Sequence, residues 1–323
     1  MDTKLKLAKP PYLRSDNSIR KIMGDVLIAL IPAEIAAVIF FGWYALFLMV
    51  SGALIAEGIE FFIMRVLRKR KNFVPDGSAA ITGILLAMNV PSNLPFWALI
   101  IGIIFAVAIT KHAFGGLGYN IFNPALMGRI FLFISFPALM TTWPEAHAFA
   151  FFTNPVDVVT TATPLNLAKY SHQMTSYWNL FIGNVGGSLG ETSALALIIG
   201  YIYLLIRKRV SWQLPLTYIG TVFVLSGITF AITKQPICDA VFSILSGGLM
   251  LGALFMATDM VTSPITIKGQ IIFGLGAGLI VYLIRGYGGY PEGVSFSIVL
   301  MNAFVPLIDR YIKPKRYGVM KNA

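Results

Sequence analysis

Residues Ile22 to Phe40, IMGDVLIALIPAEIAAVIF, are followed after Phe41 and Gly42 by Trp43 to Met64, WYALFLMVSGALIAEGIEFFIM. A helix needs about 20 mostly apolar residues to cross a hydrocarbon core, and each run supplies them. The rest of the chain has the same character: 57% of its 323 residues are hydrophobic and 12% are charged, far from the soluble globular average. The class this implies is an all-α, polytopic membrane protein. Cutting the chain by the same length rule gives about ten spans, some of them short. After the first two come Gly77 to Val90, Pro95 to Thr110, and Asn120 to Phe136. The second half holds Glu191 to Ile206, Gln213 to Thr233, Asp239 to Thr258, Gly269 to Ile284, and Gly293 to Ile308. The organisation read from this is an N-terminal membrane repeat with a basic arm (1–136), a polar loop (137–190) and a C-terminal membrane repeat with a basic tail (191–323). The loop carries Glu145, His147, Asp157, Asn166 and His172, which no continuous span tolerates.

The net charge of +11 points to membrane orientation rather than nucleic acid. With the N-terminus placed in the cytoplasm, 21 of the 25 Lys and Arg fall on the inner side. Lys169, Lys234 and Arg285 fall outside, and Arg129 lies within a span. Both termini are therefore expected inside, and the polar loop outside. Met1 to Arg20 has five basic residues and no apolar core, which reads as a cytoplasmic arm rather than a cleaved signal. Cys238, the single cysteine, allows no internal disulfide and no sulfur-ligated metal site, and reads as an apolar-packing thiol.

Five spans per half require that related halves be inverted with respect to each other. An offset of 173 residues carries Pro91 onto Pro264 and Phe114-Gly115-Gly116 onto Tyr287-Gly288-Gly289. It also matches the short third and eighth segments, the places where broken helices and midplane sites occur. Gly274, Gly276 and Gly278 read as a close helix contact.

Carboxylates inside spans cost about 2.5–3.5 kcal/mol each at a helix centre, so each needs a reason. Glu57 and Glu60 share a helical face, Glu34 lies mid-span, and Asp259 ends the eighth span. One reading is a carboxylate path for a cation; the other has Glu60 and Asp259 near interfaces, satisfied by water, Arg65 or Lys268. The run from Gly115 to Pro124 has phosphate-loop glycines but follows a membrane helix, so the dinucleotide reading fails. Its carboxamides, Asn120 and Asn123, either hydrogen-bond a planar heterocycle or cap the next helix, and chemistry alone favours the cap. In the polar loop, Asp157 to Pro164 holds the hydroxyls of Thr160, Thr161 and Thr163; attached chemistry and an ordinary turn before Pro164 are both open. No catalytic triad spacing is present, and His147 and His172 have no partners for a metal site.

Five motifs together resemble one family: Ser15 to Met23, Pro75-Asp76-Gly77-Ser78, Gly118 to Ala125, Thr160 to Leu165, and Phe255 to Asp259. This is the RnfD family of the Rnf electron-transport complex, homologous to the NqrB component of the sodium-pumping NADH:quinone reductase. The chain lacks the extra N-terminal region of the reductase component, and its length resembles the Rnf branch, with the reductase component as the alternative. The resemblance implies FMN esterified through its phosphate to Thr163, installed outside the cytoplasm by a flavin transferase that uses FAD. Thr161 stands where that motif commonly has glycine. A threonine hydroxyl is a poor nucleophile at its own pKa, so the transferase must activate it and needs an accessible loop. The resemblance further implies an inverted five-helix repeat like that of urea transporters, and riboflavin near Asn120 and Asn123. It associates Glu57 and Asp259 with cation uptake. The implied activity is ferredoxin:NAD oxidoreduction coupled to Na+ or H+ transport across a bacterial or archaeal cytoplasmic membrane. The implied partners are the other Rnf subunits, RnfA, RnfB, RnfC, RnfE and RnfG. A urea-transporter-like solute channel is the rival that fold alone suggests.

Overall fold

The computed structural model describes residues 17–146, 160–191, 193–290 and 292–314. The basic arm up to residue 16, the stretch with His147, Asn154, Pro155 and Asp157, and the tail beyond residue 314 lie outside the described residues. The first half contains α1 (Ile19–Phe41), α2 (Trp43–Phe62, continued by a π-helical turn at Ile63–Leu67) and α3 (Ser78–Met88). It continues with α4 (Phe96–Ile104, extended by π-helix at Phe105–His112), α5 (Pro124–Ser135) and α6 (Pro137–Met140). Two-residue strands β1 (Trp143–Pro144) and β2 (Thr160–Thr161) pair antiparallel, Trp143 with Thr161 and Pro144 with Thr160. Then follow α7 (Pro164–Tyr170), α8 (Tyr177–Ile182), α9 (Ala194–Ile206) and α10 (Gln213–Thr233). The chain closes with α11 (Ala240–Leu245), α12 (Leu249–Leu251, extended by π-helix at Gly252–Met256), α13 (Ile267–Tyr287) and α14 (Val294–Tyr311).

Among the described residues, α1, α2 with its π turn, α10, α13 and α14 are long and apolar enough to cross a membrane. Helices α3, α4 with its extension, α5 and α9 are apolar but shorter. The sequence expectation of continuous spans changes at two places. The segment Asp239 to Thr258 is broken at Ser246–Gly248, where Gly247 adopts φ 66°, a left-handed conformation that glycine tolerates without strain. The segment Asn120 to Phe136 becomes helical only at Pro124. Proline is favoured at the first helical position because it has no N–H to leave unpaired, and Asn123 supplies the cap.

In lipid the hydrophobic effect does not pull helices together, so close contact through small residues takes its place. A Cβ on Gly83 of α3 would stand 2.2 Å from the Gly52 carbonyl oxygen of α2, and one on Gly200 of α9 2.0 Å from the Ala29 carbonyl oxygen of α1. Gly274 and Gly278 meet Thr217 and Thr221 of α10 in the same way, while Gly276 faces Met301 of α14. The glycine series thus packs helices, as its spacing implies. Outward faces carry exposed apolar side chains such as Leu54, Ile206 and Ile232, which suits hydrocarbon surroundings. A second, smaller apolar cluster of Leu165, Ala168, Leu180, Ile237, Cys238 and Phe242 fastens α7 and α8 onto α11. Cys238 is a free buried thiol in that cluster, the packing role expected of it.

Two cross-chain contacts sit where helices are interrupted. Arg129 Nε donates to the Asn89 carbonyl at 3.0 Å, just beyond the end of α3. Asn302, with its amide oriented to satisfy both of its atoms, donates to the Thr262 carbonyl at 3.0 Å and accepts from Asn123 N–H at 3.0 Å.

Candidate functional site

The structure divides most of the sequence-derived residues between two cavities. The first, about 840 Å³, is bordered by α1, α3, the connection into α5 and the end of α12, and includes Asn120, Asn123, Asp259, Ser78 and Lys111. Asn123 Oδ1 caps α5 by accepting from Ala125 and Leu126 N–H at 3.0 and 3.3 Å. Its Nδ2 donates to the Met256 carbonyl at 3.2 Å, so both ends of this amide are engaged. Asn120 differs: Nδ2 donates to the Phe122 carbonyl at 3.2 Å, but Oδ1 is buried without a hydrogen-bond partner among the described residues. A ligand N–H would satisfy it, and a lone buried acceptor otherwise costs about 1–3 kcal/mol.

Asp259 accepts from Thr262 Oγ1 at 2.9 Å and makes no ion pair with Lys268. Glu57 is half-buried on α2, does not line the cavity, and makes no hydrogen bond or ion pair among the described residues. Glu60, one turn on, is buried beside Lys111 Nζ at 2.8 Å and His112 Nε2 at 3.1 Å. Its partner is thus Lys111 rather than Arg65, whose guanidinium lies 5.4 Å from the Phe61 ring centre. Lys111 Nζ also donates to Ser78 Oγ at 2.6 Å, which in turn donates to Asp76. In the sequence Lys111 is simply one of the inner-side charges, yet in the fold it is 2% exposed. The signal that points to it is the mid-span Glu60, which requires a buried cation.

The second cavity group surrounds Thr163. Thr163 is the N-cap of α7, its Oγ1 accepting from Asn166 N–H at 3.3 Å, and it is only 3% exposed. It lines a cavity of about 270 Å³ together with Glu191, Gly247 and Glu292. The expected accessible hydroxyl is under cover here because Leu165, two residues on, is anchored in the α7–α8–α11 cluster. Any enzyme acting on Thr163 must therefore reach it before this packing closes or while it opens. A larger cavity, about 790 Å³, shares Glu292 with the first. Its walls include Trp143, Tyr170, Tyr290, Phe133, Asn166 and Arg129. That size is within the range of small-molecule pockets. Aromatic faces with one guanidinium and one carboxamide suit a planar, hydrogen-bonding ring.

The polar frame of this region is tightly tied. Arg129 pairs with Glu292 and donates to Ser295, while Glu191 Oε1 lies 3.7 Å away. Tyr170 donates to the Gly289 carbonyl at 2.7 Å. Lys169 Nζ donates to the carbonyls of Arg285 and Gly288, and partial burial of its ammonium lowers its pKa from the ordinary lysine value. Sequence reasoning misses Arg129, Glu191 and Glu292 as a set, since they come from three distant segments.

Residues 6–318 match the NQR2, RnfD, RnfE family. The chain is 45% identical over 98% of its length, and 96% of the relative's, to the RnfD-type component of a proton-translocating ferredoxin:NAD(+) oxidoreductase complex of Clostridium ljungdahlii. It is 44% identical, with the same shares covered, to the corresponding component of a Na(+)-translocating ferredoxin:NAD(+) oxidoreductase complex of Acetobacterium woodii. It is 36% identical over 97% of its length, and 99% of the relative's, to the corresponding component of an ion-translocating oxidoreductase complex of Citrobacter koseri. A match over nearly the whole chain settles the question of kinship: this protein belongs to the NQR2, RnfD, RnfE family.

Proposed function

We propose that this chain is the membrane flavoprotein subunit of an ion-translocating ferredoxin:NAD+ oxidoreductase, acting with other Rnf subunits in a bacterial or archaeal cytoplasmic membrane. The observation that carries the reading is the 44–45% identity, over 98% of the chain, to two components of complexes so named. Those names differ in the ion, proton in one and sodium in the other, so either cation is compatible with the chain.

Thr163 is the proposed attachment point for FMN, added by a flavin transferase, with the ring in the aromatic cavity beside it. The adjoining cavities, joined through Glu292, support this pairing of anchor and ring site. Asn120 is the proposed contact for a second flavin, riboflavin, through its unpartnered carbonyl oxygen, with Asn123 serving as the helix cap that holds the cavity wall. A bound flavin supplies a ring that holds one or two electrons, while the protein sets its position and surroundings. The chain's own contribution is to exclude water from both cavities, to orient the rings and to hold compensating charge at Arg129 and Lys111. Glu57 and Asp259 are the proposed cation contacts.

The proposed architecture is two inverted five-helix repeats, about ten spans in all, similar to urea transporters, with both termini cytoplasmic and the Thr163 loop outside. The offset of 173 residues supports the repeat a second time. It carries the contact of Arg129 with the Asn89 carbonyl onto that of Asn302 with the Thr262 carbonyl.

The test is peptide mass spectrometry of the membrane-purified chain co-expressed with a flavin transferase, set beside Thr163→Val. An FMN adduct confined to the Thr163 peptide, and lost in the variant, is the expected result. No adduct, with a control protein modified in the same cells, overturns the flavoprotein reading and brings a solute-channel role forward.

A further inference from the structure

Four buried polar atoms that lack a hydrogen-bond partner among the described residues gather around one turn: Ser188 Oγ, Glu191 Oε1, Ser246 Oγ and Arg285 Nε. The turn is the break between α11 and α12. A Cβ on Gly248 would stand 3.0 Å from Glu191 Oε1, and one on Gly247 would stand 3.2 Å from Arg285 Nη2. The carboxylate and the guanidinium therefore approach the same two glycines. Arg285 holds the turn by donating Nη1 to the Ser243 carbonyl and Nη2 to the Ser246 carbonyl. Glu191 N–H donates to the Ser188 carbonyl at 3.0 Å, which keeps Ser188 beside it. Both serines are 0% exposed, Arg285 4% and Glu191 9%.

An unmet buried polar atom costs about 1–3 kcal/mol, so four in one place call for an occupant. The inventory is two hydroxyls that donate or accept, one N–H donor and one carboxylate acceptor. The charged groups facing Glu191 are Arg129 from α5, Arg285 from α13 and Glu292 from the α13–α14 connection. Two guanidiniums oppose a metal cation, and two carboxylates oppose an anion. Water, which both donates and accepts, meets the whole set, and the ion such a set exchanges is the proton.

We propose that Glu191, with Ser188, Ser246 and intervening water, is a proton-holding site that takes up one proton when negative charge enters the adjoining Thr163 cavity and releases it when that charge leaves. The carboxylate becomes a carboxylic acid and back again; no electron passes through it. Glu191 and Thr163 line the same cavity, which is the route of electrostatic contact. The dependence on arriving charge rests on the flavin reading above, whereas the proton site itself rests on the buried polar set.

The experiment is infrared difference spectroscopy on the intact purified complex, in H2O and D2O, driven by reductant and separately by pH. The expected result is a carboxylic C=O band that appears on reduction, shifts in D2O, disappears in Glu191→Gln and moves in Ser246→Ala. A band unchanged in Glu191→Gln, or no protonated-carboxyl band under either drive, overturns the proposal. If the Gln variant does not assemble, Glu191→Asp replaces it: a moved band supports the site, and an unmoved one overturns it. Thr163→Val separates the two readings. A band that stops following reductant but still follows pH supports both. Undiminished flavin in that variant removes the attachment reading, and the pH-driven band still decides the proton site.

Discussion

Lys111 carries a full charge at 2% exposure, and it is tolerable there because Glu60 and Ser78 together take up its donors. Removing one partner of a buried pair leaves the other charge uncompensated, which costs about 3–5 kcal/mol. Lys111→Met should therefore lower the thermal unfolding midpoint of the detergent-solubilised chain markedly. The double variant Lys111→Met, Glu60→Gln should recover much of that loss, since an apolar and neutral pair desolvates cheaply. Equal damage from the single and double variants would show that the pair is not the stabilising unit. At this scale the sequence is readable only for short-range chemistry. The Asn123–Pro124 step announces a helix start, and Asn123 is the cap. The pairing of Glu60 with Lys111 spans 51 positions and depends on how α4 lies against α2, so the nearer Arg65 is the natural but mistaken partner. The orphan oxygen of Asn120 is likewise set by tertiary surroundings, not by its motif.

The α2–α3 contact is decided by hydrogen atoms in place of side chains. Gly83→Val would drive a Cβ into the Gly52 carbonyl, a contact of 2.2 Å with backbone that has no freedom to swing away. Overpacking of this kind costs about 1–3 kcal/mol even where neighbours can adjust. The expected outcome is a sharp fall in folded yield by size-exclusion chromatography. Gly58→Ala, with open space at its Cβ, should fold as the parent does, and a normal Gly83→Val would refute the contact. Elements defined by unbroken apolar runs are legible from composition, α10 to the residue at both ends. The break at Ser246–Gly248 is not, because Ser and Gly are common inside membrane helices and nothing local distinguishes a packing glycine from one at positive φ. What sets Gly247 apart is Leu165 and Arg285 crowding it from other elements.

For the molecule as a whole, the asymmetry of Lys and Arg argues for a fixed orientation, and labelling tests it. In a Cys238→Ala background, Lys234→Cys should react with a membrane-impermeant maleimide in intact cells, whereas Lys268→Cys should react only after permeabilisation. Both lysines are exposed, so reversed labelling would invert the proposed orientation. The membrane class is legible because it depends on bulk apolarity, while the two cavities are not, because each is assembled from segments far apart in the chain. One shared feature gives the first cavity a particular mechanical character. The extended ends of α2, α4 and α12 are all π-helical, with backbone bonds such as Arg68 N–H to Ile63 O, Gly116 N–H to Lys111 O and Ala257 N–H to Gly252 O. All three meet at its rim: Arg68 grips the Gly115 and His112 carbonyls, and Lys111 and Phe255 are in the lining. A π turn holds one residue more than the α turn it replaces. Each of these ends thus has one residue of slack, which re-pairing of carbonyls takes up while the helix axis stays still. The rim adjusts in whole-residue steps, so the width of that cavity is a counted quantity and not a continuous one.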